Sequence, residues 1–302
     1  MNELELLRRI QRSTPKPGPG VVLGIGDDCA IYHPEGARED LVFTTDMTIE
    51  NMHFRREMHS ADAVGWKALA RGLSDIAAMG GEPRFALLSL ALAEWTQTRW
   101  ANDFFRGFGA LAGRARVALA GGDLARSAKL SCDVVVCGEA PRGGALRRDG
   151  ARPGDQICVS GLLGSSALGL RTQRGAAWKR HSYPEPRLAL GRFLRRRLKA
   201  TAAMDLSDGL SLDLHRLALA SGVSADLDLE PPRFRGASLE DALHGGEDYE
   251  LLFTLPPRVK LPAAHEGVPL TRIGSIERGK PGRVRFLGRP LAARGYDHFR
   301  DR

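Results

Sequence analysis

The residues with the most chemistry in them are aspartates, and their placing is not random. Asp28, Asp46, Asp75, Asp123, Asp205 and Asp208 each stand where an apolar run meets a glycine, or at the mouth of a helix-like run. The densest stretch is Gly24-Ile25-Gly26-Asp27-Asp28-Cys29-Ala30, which follows the apolar Val21-Val22-Leu23. Adjacent carboxylates repel. They suit either a solvated turn, where Gly supplies unusual backbone angles and Asp bonds its own chain, or a hard cation held between them. Singly, each acid also has a plain structural reading, since Ser74, Asp75, Ser207 and Asp208 are helix-capping residue types. Together, with Thr and Ser oxygens nearby, the six suit Mg²⁺ or Mn²⁺ and not zinc, and no HxxxH or HExxH competes.

Gathered magnesium ions screen polyphosphate and favour phosphoryl transfer. The familiar alternatives are missing. There is no GxxxxGK(S/T), Cys29 breaks a GxGxxG reading, and no protein-kinase motif or Ser-His-Asp or Cys-His arrangement stands out. The chemistry therefore rests on metals and positioning, with no covalent intermediate.

The elements that must position these acids alternate between strand and helix, so the class is α/β or α+β. Strands are expected over 21–23, over 41–45 ending at Asp46, and over 85–92. Others are expected over 117–120 ending at Gly121-Gly122-Asp123, and over 129–139, 156–160, 202–205 and 249–255. Asp46 and Asp123 would then directly follow strands, where α/β folds gather ligands. Helices are expected over 61–73, 98–114 and 187–199, and after Asp208, with a Ser-Asp pair opening a helix in each half. The N-terminal MNELELLRRIQRS reads as an amphipathic helix with Leu4, Leu6, Leu7 and Ile10 on one face, followed by a Pro-Gly loop over 15–20. A polar, glycine-rich stretch over 140–153 suggests two domains, 1–140 and 141–302.

Composition narrows the class. The chain has 302 residues, 43% hydrophobic and 26% charged, as in an ordinary soluble protein. No long uncharged apolar run and no signal-peptide pattern occur, so the expected compartment is the cytosol, with no membrane partner. Cys29, Cys132, Cys137 and Cys158 form no CxxC pair, and free buried thiols are expected. Net charge is +8, with 37 of the 44 basic residues arginine. These are spread out, and the run Arg195–Arg197 reads as the solvated face of a helix whose Leu190, Phe193 and Leu194 look inward; no nucleic-acid partner is expected.

Six blocks, in order, carry a family resemblance: GIGDDCA (24–30), TTDMTIENMHF (44–54), KALARGLSDIAAMGGEP (67–83), GGDLARS (121–127), DLSDG (205–209) and GGEDYELLF (245–253). In these the chain resembles thiamine-monophosphate kinase, within a superfamily that includes aminoimidazole ribonucleotide synthetase, selenophosphate synthase and a hydrogenase-maturation protein. The resemblance implies ATP-dependent phosphorylation of thiamine monophosphate to thiamine diphosphate. It implies magnesium ligands at Asp28, Thr44, Thr45, Asp46, Asp75, Asp123, Asp205 and Asp208, of which Asp46, Asp75, Asp123 and Asp208 would be catalytic through the metal ions. ATP contacts would fall at Phe105, Gly122, Asp123, Arg148 and Ser207, and thiamine contacts at His53 and Glu247. It also implies a homodimer whose N-terminal sheets pair into a shared barrel, with a C-terminal α/β domain completing each nucleotide and substrate site. The acceptor, a phosphate monoester with a second pKa of about 6, needs no general base. It needs the repulsion between two anions cancelled.

Two positions depart from the family's pattern. Ala293 stands where an aromatic residue usually precedes Gly295-Tyr296-Asp297, and Phe104-Phe105 stands where Tyr is common. Two rivals stay open: a superfamily relative acting on another acceptor, and an idle nucleotide-binding protein. No cysteine precedes Cys29 and no cysteine tail follows, which sets aside the selenophosphate and hydrogenase-maturation patterns.

Overall fold

The computed structural model describes residues 3–13 and 18–296. The expected loop residues Pro15, Lys16 and Pro17, the side chain of Leu4 and the terminal motif from Asp297 onward lie outside them. Two sheets with their helices make a mixed α/β protein of two domains.

The first sheet has the order β1-β2-β3-β6-β4-β5, from β1 (Val21–Leu23), β2 (Ala30–Tyr32), β3 (Glu39–Ile49), β4 (Glu82–Leu92), β5 (Ala118–Arg126) and β6 (Ser131–Pro141). Three helices accompany it: α1 (Glu3–Ser13), α2 (Ala61–Ala78) and α3 (Thr98–Ala115). The second sheet runs β14-β13-β9-β12-β7-β10-β8, with β11 paired on β12. Its strands are β7 (Gln156–Ser160), β8 (Ala202–Asp205), β9 (Ser224–Leu227), β10 (Leu251–Leu255), β11 (Ala264–His265), β12 (Val268–Glu277), β13 (Val284–Phe286) and β14 (Arg289–Pro290). Its helices are α4 (Ser165–Thr172), α5 (Gly175–Ser182), α6 (Leu188–Phe193), α7 (Leu210–Ala220) and α8 (Leu239–His244).

Helix α2 joins the two halves. Most of its residues are buried, because it packs on β3 and β6 with one face, on α3 with another, and on α6 and β8 of the second domain with its far end. Ala77 and Ala78 share an apolar cluster with Leu190, Leu194, Leu251 and Phe253. Gly72 lets the helix approach the sheet, since a Cβ there would meet the Val136 side chain at 2.7 Å.

Several expected boundaries are corrected. Ser74 and Asp75 do not open a helix; they lie inside α2. Ile76-Ala77-Ala78 continue the buried stripe, so the helix runs on until Gly80 turns to φ +63°. Asp46 and Asp123 do not follow strands; they lie within β3 and β5. Backbone pairing decides this, because β3 stays in register with β6 from Glu39↔Pro141 to Ile49↔Ser131, and β5 runs parallel to β4 as far as Leu92↔Arg126. The expected helix over 187–199 ends as a π-helical turn, Leu194–Leu198, and Arg195 is not merely solvated: its Nε donates to Gly80 O at 2.8 Å. Tyr249 precedes β10, at φ +50°. All four cysteines are free and buried, as expected. No described helix is long and apolar enough to cross a membrane.

Candidate active site

Strand alternation sorts the first acids. Successive side chains in β3 point to opposite faces, so Thr44 and Asp46 share the face covered by α2, and Thr45 takes the other. Thr44 Oγ1 donates to Asp75 Oδ2. Thr45 Oγ1 donates instead to Asp133 Oδ1 at 2.6 Å on the exposed face. From the second domain, β8 lays Asp205 against α2, where Ser74 Oγ donates to Asp205 Oδ2 at 2.7 Å. The turn after β1 delivers Asp28. Oxygens of Asp28, Asp75 and Asp205 then lie within 4.8 Å of one another.

Three carboxylates this close are costly without a cation. Burial raises the Asp28 carboxyl to about 6 even though Arg148 opposes it, and Asp205 adds to the rise. Asp205 is also lifted to about 6, by burial against the opposing Ser74 bond. Burial and the neighbouring charges of Asp46, Asp205 and Asp28 push Asp75 well above the usual carboxylate range. Asp28 Oδ2 is buried without a hydrogen-bond partner. An orphaned carboxylate oxygen beside two more acids fits a hard divalent cation.

The loop after β8 is held from three sides. Asp213 Oδ2 accepts the backbone N–H groups of Asp208 and Gly209 at 3.1 and 2.9 Å. Glu247 N and Tyr249 N donate to Ser207 O and Leu206 O, and Tyr296 N donates to Asp208 O at 3.1 Å. Gly209, at φ +119°, is required where a Cβ would meet His244 O at 2.8 Å. Ser207 and Asp208 thereby face the cleft, with Asp208 paired to Arg216.

That cleft encloses about 920 Å³ between the two domains. Asp46, Asp75, Asp205 and Asp208 line its acidic end; Met47, Met52, Phe54, Met58 and Leu170 give it an apolar wall. His53 and Glu247 lie on it too. His53 Nδ1 accepts from Ile49 N at 3.0 Å, so a neutral ring carries its proton on Nε2. Glu247 sits at φ +65°, a conformation costing about 1 kcal/mol of the kind that collects at functional sites. Burial would raise its carboxyl, but the charge of Lys67, whose Nζ lies 2.7 Å from Oε1, pulls it down to about 2. His181 itself is driven down to about 3 by burial and by Lys67, so it is a neutral ring linking Ser166 Oγ at 2.8 Å and His59 Nε2 at 3.1 Å.

Other predicted residues stand apart from this cleft. Arg148 donates to Asp28 Oδ1 at 2.6 Å, and its backbone N–H donates to Asp27 Oδ2 at 3.1 Å. Asp27 is thereby tied into the acidic turn; burial and the charge of Asp28 raise its carboxyl to about 6 against Arg148. Gly122 and Asp123 lie on β5, an edge strand exposed along its whole length. Phe105 is exposed on α3, and Ala293 does not line the cleft, whereas Tyr296 does. Sequence reasoning missed Lys67, Arg71, Asp213 and Tyr249 as parts of the site. The first two carried a signal: Lys67, Arg71 and Asp75 recur at four-residue steps, which places them along one side of α2.

Comparison with known proteins agrees with this architecture. The family described as AIR synthase related protein matches in both parts, the N-terminal domain over residues 26–140 and the C-terminal domain over 152–286. A thiamine-monophosphate kinase of Escherichia coli (strain K12) is 39% identical, covering 92% of each chain. That of Bacillus subtilis (strain 168) is 34% identical, covering 99% of this chain and all of the relative. Among solved structures, AaThiL complexed with AMPPCP and TMP matches with a TM-score of 0.86 at 32% identity, covering 99% of this chain and 97% of that one.

Proposed function

The chain belongs to the thiamine-monophosphate kinase family of AIR synthase related proteins, and we propose that it uses ATP to phosphorylate thiamine monophosphate, giving thiamine diphosphate and ADP. The observation that carries the reading is the meeting of Asp28, Asp75 and Asp205 at the acidic end of an interdomain cleft with an apolar wall. An acceptor oxygen of the monophosphate attacks the γ-phosphorus in line, and the bond to the β-bridging oxygen breaks. Bound Mg²⁺ ions would neutralise the two phosphate groups and orient them.

The chain's own residues do the rest. Asp28, Asp75 and Asp205 hold the ions, with Thr44, Asp46 and Asp208 beside them, and Arg148 steadies the Asp27–Asp28 turn from behind. Thr45 and Asp123 complete the ligand set in this reading, Thr45 through its backbone, since its side chain faces away. Ser207, Gly122, Arg148 and Phe105 serve ATP. Glu247, kept ionised by Lys67, and His53 orient the thiamine part, and Tyr296 offers the ring that Ala293 lacks. The apolar wall excludes water that would otherwise take the phosphoryl group.

A homodimer belongs to the same proposal. β5 leaves a whole sheet edge exposed, with Leu119 and Leu124 on it, and such edges are ordinarily paired or covered. Pairing there would bring Gly122 and Asp123 under cover. We place the division between the two domains at residues 140/141, and the location in the cytosol, where four free buried thiols are at home. The test is incubation with ATP, Mg²⁺ and thiamine monophosphate, following thiamine diphosphate and ADP by chromatography. Equal appearance of both supports the reading; ADP formed only with a different acceptor would sink the substrate assignment.

A further inference from the structure

We propose that Arg71 is an exchangeable cation of the active site: it clasps Asp46 while that carboxylate has no metal ion, and passes to the acceptor phosphate when it has one. The inference rests on the phosphotransfer reading above. It starts from position. Arg71 sits one helical turn from Lys67 and one from Asp75 on α2. Lys67 is committed to Glu247 at 2.7 Å, and Asp75 belongs to the carboxylate group. Arg71 therefore lies between the end of the cleft assigned to thiamine and the end assigned to metal, where an acceptor phosphate must come to rest.

The clasp on Asp46 has an unusual form. Nε at 3.3 Å and Nη2 at 3.0 Å both reach one oxygen, Oδ1. Some arginines of the chain grip carboxylates fork to fork, Arg171 on Asp241 at 2.7 and 2.9 Å and Arg272 on Asp228 at 2.9 and 2.6 Å, each with two nitrogens on two oxygens, while others, such as Arg148 on Asp28, make a single contact. The two-point grip is the stronger and more specific one. Arg71 falls short of it. Among the described residues its Nη1 makes no hydrogen bond, and neither does Asp46 Oδ2, so both partners keep capacity for something else.

Charge points the same way. Among the described residues lining the cleft, only Arg55 and Arg71 are arginine or lysine, and Arg55 is exposed. The Arg71 side chain is only 16% exposed, which strengthens whatever it bonds. Burial alone would weaken its charge, but Tyr249, Asp46 and Glu247 hold it protonated. A planar fork with a fixed charge matches a phosphate monoester.

The exchange predicts opposite changes in two affinities, neither of which needs turnover. Mn²⁺ binding is read by electron paramagnetic resonance, and binding of inorganic phosphate and of thiamine monophosphate by calorimetry with Mg²⁺ and AMPPCP present. Arg71→Ala should bind Mn²⁺ at least about threefold more tightly, because a competing cation has left, and phosphate roughly tenfold more weakly, the size of a lost charge-assisted bond. Arg71→Lys keeps the charge without the fork and should fall between on phosphate, with AMPPCP affinity unchanged. If both affinities weaken in Arg71→Ala, or neither moves, Arg71 is a structural ion pair and the proposal is overturned. Should Arg71→Ala fail to fold, Arg71→Lys decides, and unchanged phosphate affinity in it refutes the exchange. Wild-type protein that binds Mn²⁺ and phosphate but not thiamine monophosphate would remove the substrate assignment and leave Arg71 to be judged on phosphate alone.

Discussion

Asp205→Asn should make the metal-free protein more stable at neutral pH. Asp205 is 2% exposed, and its Oδ2 accepts from Ser74 at 2.7 Å, within reach of Asp28 and Asp75. Burial foremost, then the charges of Asp46 and Asp208, lift its carboxyl from 3.8 to about 6 despite the Ser74 bond. A rise of that size corresponds to about 3 kcal/mol. Because three neighbouring acids share the strain, one substitution should relieve roughly 2 kcal/mol of it. Asn is isosteric and still accepts from Ser74, so little else changes. The sign follows from the raised value. Below about pH 4 the group is protonated in folded and unfolded chains alike; between about 4 and 6 the folded chain keeps a proton the unfolded chain has lost, and above about 6 the full penalty stands. Scanning calorimetry in chelator at about pH 8 should therefore place the variant's Tm about 4–8 °C above wild type. The gap should close as pH falls towards about 4. Millimolar Mg²⁺ should reverse the order, because wild type gains binding energy that the variant lacks. A variant no more stable than wild type at pH 8 in chelator, or a gap that ignores pH, would refute the idea that burial and neighbouring acids together penalise the ionised Asp205 carboxylate.

Other outcomes follow from the same geometry. Asp46→Asn should abolish turnover while circular dichroism and melting stay those of a folded protein; wild-type-like rates would remove Asp46 from the metal site. Ala293→Trp should leave the KM for thiamine monophosphate within about twofold of wild type, while Tyr296→Ala should raise it several-fold, the size of one lost aromatic contact, since Tyr296 and not Ala293 lines the cleft. A marked fall in KM with Ala293→Trp would mean that the missing ring was needed after all. Leu124, 71% exposed on the β5 edge, should be covered in a dimer, so Leu124→Glu should shift the sedimentation coefficient to that of a monomer; a dimer in both proteins would place the interface elsewhere.

The meeting of acids at the candidate site was partly legible in the chain, because they lie in short blocks whose local chemistry is strong. Asp28 in its glycine turn and the loop Asp205–Gly209 stand where the sequence suggested. Boundaries were less legible wherever pairing partners far along the chain set them. Asp46 and Asp123 looked like strand ends from local residues, yet β6 and β4 carry those strands through. Ser74 and Asp75 looked like a cap because capping chemistry and metal-site chemistry use the same side chains. Lys67 and Arg71 went unremarked because their partners, Glu247 on the far loop and Asp46 on β3, are remote in sequence, and nothing local in GGEDYE announces that Glu247 and Tyr249 take positive φ.

The central claim is that Asp28, Asp75 and Asp205 gather a divalent ion on which phosphoryl transfer depends. A crystal grown with Mn²⁺ and AMPPCP, measured for anomalous scattering, tests it most directly. The predicted result is a peak at about 2.0–2.2 Å from oxygens of all three carboxylates, with Asp46 turned from Arg71 towards the metal. No anomalous peak at these carboxylates, in protein that still turns over with Mn²⁺, would contradict the account.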